Sequence, residues 1–79
     1  MSKTKQERQR IGTRIKEERE KRGLTQAELA SMAGITESNL YRIENGHYSA
    51  KFDDMQSIAD AMNLDADLIS KSQNSSFII

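Results

Sequence analysis

The stretch from Gln26 to Asn45, QAELASMAGITESNLYRIEN, decides how this chain folds. Apolar residues recur at helical spacing on both sides of Gly34: Leu29, Ala30, Met32 and Ala33 before it, Ile35, Leu40 and Ile43 after it. Glycine takes a left-handed turn at little steric cost, and the spacing leaves no room for a long loop. Two short helices therefore meet at Gly34. Ala30 is small enough to let the second helix pack close against the first. With Ile35, Leu40 and Ile43 plugged into the core, Glu37, Ser38, Asn39 and Arg42 project outward. A helix held this way fits the DNA major groove, which is roughly 12 Å wide.

On either side of this stretch the spacing predicts further helices, five in all, and no strand, since no segment sustains period-two alternation. Helix 1 is expected from about Lys5 to Arg22, with Ile11 and Ile15 as its apolar stripe and Gly23 as a left-handed C-cap. Thr25 and Glu28 form a capping box for helix 2. Thr36 caps helix 3, which runs to about Glu44 and ends at Asn45-Gly46. Asp53 is expected to cap helix 4, whose inner face is Met55, Ile58, Ala59 and Met62. Asp65 starts a short helix 5 carrying Leu68 and Ile69. The expected layout is a basic N-terminal extension of helix 1 over residues 1–10, an all-α domain over 11–69, and a polar tail over 70–79. That tail closes on Phe77-Ile78-Ile79.

The chain has 79 residues, 12 cationic and 12 anionic, with no Cys and no Pro. A single domain is expected at this length, with no disulfide to support a small core. No apolar run approaches the roughly 20 residues of a membrane span. MSKTKQERQR carries no apolar signal segment, so a cytoplasmic location is expected. The zero net charge conceals a gradient. Residues 1–22 carry nine cations against four anions, whereas residues 53–79 carry five aspartates against Lys71. The basic front is the candidate DNA face. The bland alternative for it is a solvated charged helix.

Three pieces at their present separations carry a resemblance: Gly23-Leu24-Thr25-Gln26-Ala27-Glu28-Leu29-Ala30, Gly34-Ile35-Thr36, and Arg42-Ile43-Glu44-Asn45-Gly46. They resemble the phage-repressor type of helix-turn-helix, the Xre/Cro/cI family, and the match extends over about residues 11–69. The resemblance implies a five-helix, phage-repressor-like DNA-binding domain that reads operator DNA with helix 3 and commonly dimerises. By position it makes Gln26 a phosphate contact beside the helix cap Thr25, and Glu37, Ser38 and Arg42 base readers. Arg42 has the fork to grip guanine O6 and N7, and a backbone phosphate is its alternative partner. Glu37 can accept from cytosine N4, or simply favour the helix dipole. Thr36 serves as a cap or contact, and Asn39 sits at the edge of the exposed arc. Asn45, His47, Tyr48 and Lys51 fall where the family touches the DNA backbone. Tyr41 lies at the side of helix 3. Arg19 and Glu44 match the family's internal ion pair.

The chain departs from the family at Glu18, where an apolar residue is usual, and at Ser49 and Ala50 in the loop after helix 3. The first departure predicts shallower packing of helix 1. One recognition helix touches few base pairs, so a homodimer on double-stranded DNA is expected. Leu64, Leu68 and Ile69 are the candidate interface. The alternative is that Leu64 and Leu68 close the monomer core. A second class of function, an antitoxin or adaptor, would use residues 70–79 to dock a protein partner. No catalytic pair, metal cluster or cofactor-binding pattern is present in the sequence, and no enzymatic role is expected.

Overall fold

A computed structural model describes residues 4–47, 49–66 and 69. Four helices are delimited: α1 (Lys5–Lys21), α2 (Gln26–Ala33), α3 (Glu37–Glu44) and α4 (Phe52–Ala61). No residue among those described is in a strand. This is one helix fewer than the five expected. Past α4, Ala66 and Ile69 are helical, and Asp67 and Leu68 between them lie outside the described residues. Tyr48 and the tail over 70–79 lie outside them as well.

Local chemistry sets the helix starts. Thr4 caps α1, with its hydroxyl accepting from the Glu7 N–H and Glu7 reaching back to the Thr4 N–H. Thr25 and Glu28 make the same reciprocal box for α2, at 3.0 and 2.8 Å. Thr36 Oγ1 accepts from the Asn39 N–H at 3.0 Å and starts α3. Between α2 and α3, Gly34 takes φ +74°, the left-handed conformation that costs other residues a Cβ clash. The Ile35 N–H then returns to the Ala30 carbonyl at 3.0 Å and closes the turn. Helix α4 departs from expectation: Lys51, not Asp53, is its N-cap residue and makes no side-chain cap bond. Asp53 and Asp54 fall instead in the first turn. There Asp54 accepts from Asn39 Nδ2 at 3.3 Å, tying α4 to α3.

Helix α1 crosses α3, and α2 packs on both α3 and α4. The core between them is Ile11, Ile15, Leu29, Ala30, Leu40, Ile43, Met55, Ile58, Ala59, Met62 and Ile69. Met32, expected inside, is 55% exposed. Helix α2 turns Leu29, Ala30 and Ala33 to the core, and Met32 lies on the shoulder beyond them. Ile69, expected at a dimer contact, is buried in this monomer core, while Leu64 is half-buried against it.

The α1–α3 crossing is set by backbone. A Cβ on Gly12 would strike the Ile43 carbonyl oxygen and come within 2.5 Å of the Glu44 carbonyl oxygen. A Cβ on Gly46 would sit 3.0 Å from Gln9 Cα. Beside this crossing, Arg19 and Glu44 form a buried bidentate pair: Nε to Oε2 at 2.7 Å and Nη2 to Oε1 at 3.0 Å. The carboxylate holds Arg19 more firmly protonated than an ordinary arginine, against the cost of its burial. Arg19 Nη1 also donates to the Leu24 carbonyl at 2.8 Å, which fixes the loop between α1 and α2.

Glu18 corrects the expectation of a shallow α1. It is buried, and its carboxylate is ringed by Arg22 at 2.8 Å, Arg14 at 3.0 Å and Lys21 at 3.4 Å. The Arg22 hydrogen bond is the largest influence holding its pKa down to about 2; burial opposes it, and Arg14 and Lys21 add to the lowering.

Three outcomes follow from this packing. Gly12→Ala gains about 1 kcal/mol of helix propensity but drives a Cβ into two backbone carbonyl oxygens, an overpacking at the upper end of about 1–3 kcal/mol. The backbone obstacle cannot rotate away, so thermal melts should show a net loss of several degrees; an unchanged Tm would contradict the crossing. Glu44→Ala strands a buried arginine and should cost about 3–5 kcal/mol in urea unfolding. The stabilisation from Glu18 is present above its ordinary pKa of 4.5 and is lost as pH falls toward 2. The stability gap between wild type and Glu18→Gln should therefore narrow across that range, and a gap independent of pH would refute the ring.

Candidate nucleic-acid interface

Helix α3 is held from beneath and open above. Leu40, Ile43 and Glu44 are buried, while Glu37, Ser38, Tyr41 and Arg42 are exposed. Ser38, Arg42 and Asn45 follow one another at helical spacing along the open side, and Glu37 and Tyr41 lie beside them. The side chains of Glu37, Ser38 and Arg42 make no hydrogen bond or ion pair among the described residues. They point to solvent with their donors and acceptors uncommitted.

The remaining residues singled out from the sequence are more constrained. Thr25 and Thr36 are exposed, and their hydroxyls are occupied as helix caps. Gln26 is half-buried, and its Nε2 donates to Glu44 Oε1 at 2.9 Å. Glu44 thus joins Arg19, Gln26 and the last turn of α3 in one network. Asn39 is half-buried and turned toward Asp54, so it stands apart from the open stripe. Asn45 is exposed, with Nδ2 donating to the Tyr41 carbonyl at 2.8 Å. The His47 ring meets the Tyr41 ring edge-on, with centroids 6.0 Å apart. Lys51 is exposed at the start of α4.

Two contacts, Gln26 to Glu44 and Asn39 to Asp54, escaped the sequence reading. They span 18 and 15 residues, and no local pattern announces them. The basic front also needs revision. Of its nine cations, Arg14, Lys21 and Arg22 serve Glu18, and Arg19 serves Glu44. Less of its charge faces outward than the count suggests. Among the described residues, no group of three or more His, Cys, Asp or Glu side chains could hold a metal ion, and no helix is long and apolar enough to cross a membrane.

The family model described as helix-turn-helix matches residues 15–69. Comparison with curated protein sequences finds no match. Among solved structures, the master regulator for biofilm formation SinR, solved in complex with DNA, is 26% identical with a TM-score of 0.74. The match covers 77% of this chain and 98% of that one. The restriction-modification controller protein C.AhdI from Aeromonas hydrophila shares the fold at 24% identity and a TM-score of 0.76, covering 78% of this chain and 94% of that one. The P22 c2 repressor, solved with a synthetic operator, shares it at 23% identity and a TM-score of 0.73, covering 77% and 92%. The matched span contains the whole of α2, the Gly34 turn and α3. The chain belongs to the helix-turn-helix family, as an all-α DNA-binding transcription regulator of the Xre/Cro/cI type.

Proposed function

We infer that this chain lays α3 in the major groove of a palindromic operator, binds it as a homodimer, and represses transcription by occupying the site. The observation that carries the reading is the open stripe Glu37, Ser38 and Arg42, uncommitted and mounted on a helix whose other side is locked to the core. A side chain that reads a base must be presented without a competing partner and without freedom to retreat. Arg42 is the principal reader, through guanine O6 and N7, and Ser38 is its neighbour one turn earlier. Glu37 accepts from a cytosine amino group, and because it repels phosphate it also discriminates against misplaced DNA.

Around this stripe, Thr25 and Gln26 at the start of α2, and Asn45, His47 and Lys51 after α3, hold the sugar–phosphate backbone. Asn39 braces α4 in place of reading a base. Gln26 reaches phosphate from a position already fixed by Glu44. Two copies are needed because one helix discriminates weakly, each mismatched pair costing about 1–3 kcal/mol. A two-fold pair presents its helices roughly 34–36 Å apart. With Ile69 committed to the monomer core, Leu64 and Leu68 are left to supply the contact. The protein works in the cytoplasm, where the DNA is.

Selection of bound sequences from random DNA tests this directly. The wild type should enrich a two-fold symmetric site. Arg42→Ala should lose about 1–3 kcal/mol and relax one position in each half-site. Gln26→Ala should weaken every selected site by a similar factor. Should Arg42→Ala recover the same sequences with the same affinity, Arg42 is not a base reader.

A further inference from the structure

We propose that a cleft between the first turns of α1 and the end of α3 is a second seat for the DNA backbone, with Lys5 and Arg8 as its phosphate-binding groups. This deepens the DNA-binding reading and rests on it. Neither residue belongs to the turn between α2 and α3, and both precede the family match at residue 15. The cleft is lined by Lys5, Arg8, Gln9, Asn45, Gly46 and His47. Lys5 and Arg8 are cationic, Gln9, Asn45 and His47 are polar, and no carboxylate is among them.

Gly46 seats against the backbone of Gln9, bringing α1 to within touching distance of the chain as it leaves α3. Arg8 Nε donates to the Gly46 carbonyl at 3.2 Å, which holds the guanidinium at the cleft wall. The acid in the first turn of α1, Glu7, is folded back on the Thr4 cap. Lys5 is exposed and makes no ion pair among the described residues. The cleft adjoins the reading stripe: the His47 N–H donates to the Arg42 carbonyl at 2.9 Å, and the His47 ring touches Tyr41.

The cleft opens beyond Arg42, where the chain has left α3 and the base-reading stripe has ended. With α3 in the major groove, what lies past the stripe meets the sugar–phosphate strand that borders the groove. The cleft measures about 450 Å³, many times the roughly 30 Å³ share of one water. It admits a phosphodiester with its hydration. Lysine acts here as a point charge, and the tethered arginine fixes register.

The test is titration of the wild type and of Lys5→Ala with its selected DNA site between 50 and 200 mM salt. Lys16→Ala serves as a control, because Lys16 is exposed on the same helix away from the cleft. One lost phosphate contact lowers the slope of log K against log salt by about 0.9, so Lys5→Ala should lose roughly threefold less affinity than wild type across that range. Lys5→Arg should restore the wild-type slope, and base preference should be the same in all four proteins. An unchanged slope in Lys5→Ala, or an equal change in Lys16→Ala, overturns the cleft while leaving the DNA-binding reading intact. A wild type with no salt-sensitive DNA binding overturns both.

Discussion

The Glu44 carboxylate is the fixed point of this molecule. It accepts two hydrogen bonds from Arg19 and one from Gln26, and through Arg19 it reaches the Leu24 carbonyl. One side chain thereby joins the end of α1, the loop after it, the first residue of α2 and the last of α3. Burying a charge pair is expensive unless its remaining hydrogen-bonding capacity is satisfied. Here no buried side-chain polar atom among the described residues is left without a partner. A half-satisfied version would be worse than an apolar core, so the four segments are constrained as a unit.

The reading side of α3 depends on that constraint. Its eight residues form too short a helix to be stable alone. Its direction comes from Leu40 and Ile43 below, the Gly34 turn before it and the Glu44 network after it. The outward stripe can then carry residues chosen for recognition rather than folding. Ser38 contributes little to stability, and Glu37 in the first turn and Arg42 in the last add only favourable charges.

Much of this was legible in the sequence wherever the cause is local. The caps at Thr25 and Thr36, the left-handed Gly34 and the outward Glu37, Ser38 and Arg42 follow from neighbours within one or two turns. What was not legible depends on segments meeting in space. Nothing near Gly12 in the sequence marks it, yet its lack of a side chain is what lets α1 reach the backbone of α3. Glu18 reads as a misfit until Arg14, Lys21 and Arg22 gather around it. Asp53 looks like a cap, but the helix begins one residue earlier, and Asp54 is engaged by Asn39. Met32 shows the limit of pattern reading in a two-turn helix, where the buried arc is narrow and a shoulder residue falls outside it.

The contact of Gly12 and Gly46 with main chain has a consequence for how such a protein changes over generations. Where two helices are spaced by interlocking side chains, each altered core residue shifts the angle between them. Here the spacing is a stop of peptide against peptide. Core isoleucines outside α3, such as Ile58, can then be exchanged for leucine with small repacking while the stop between α1 and α3 stays in place. New binding preferences can then arise by single replacements on the outer stripe, without the scaffold having to be solved again.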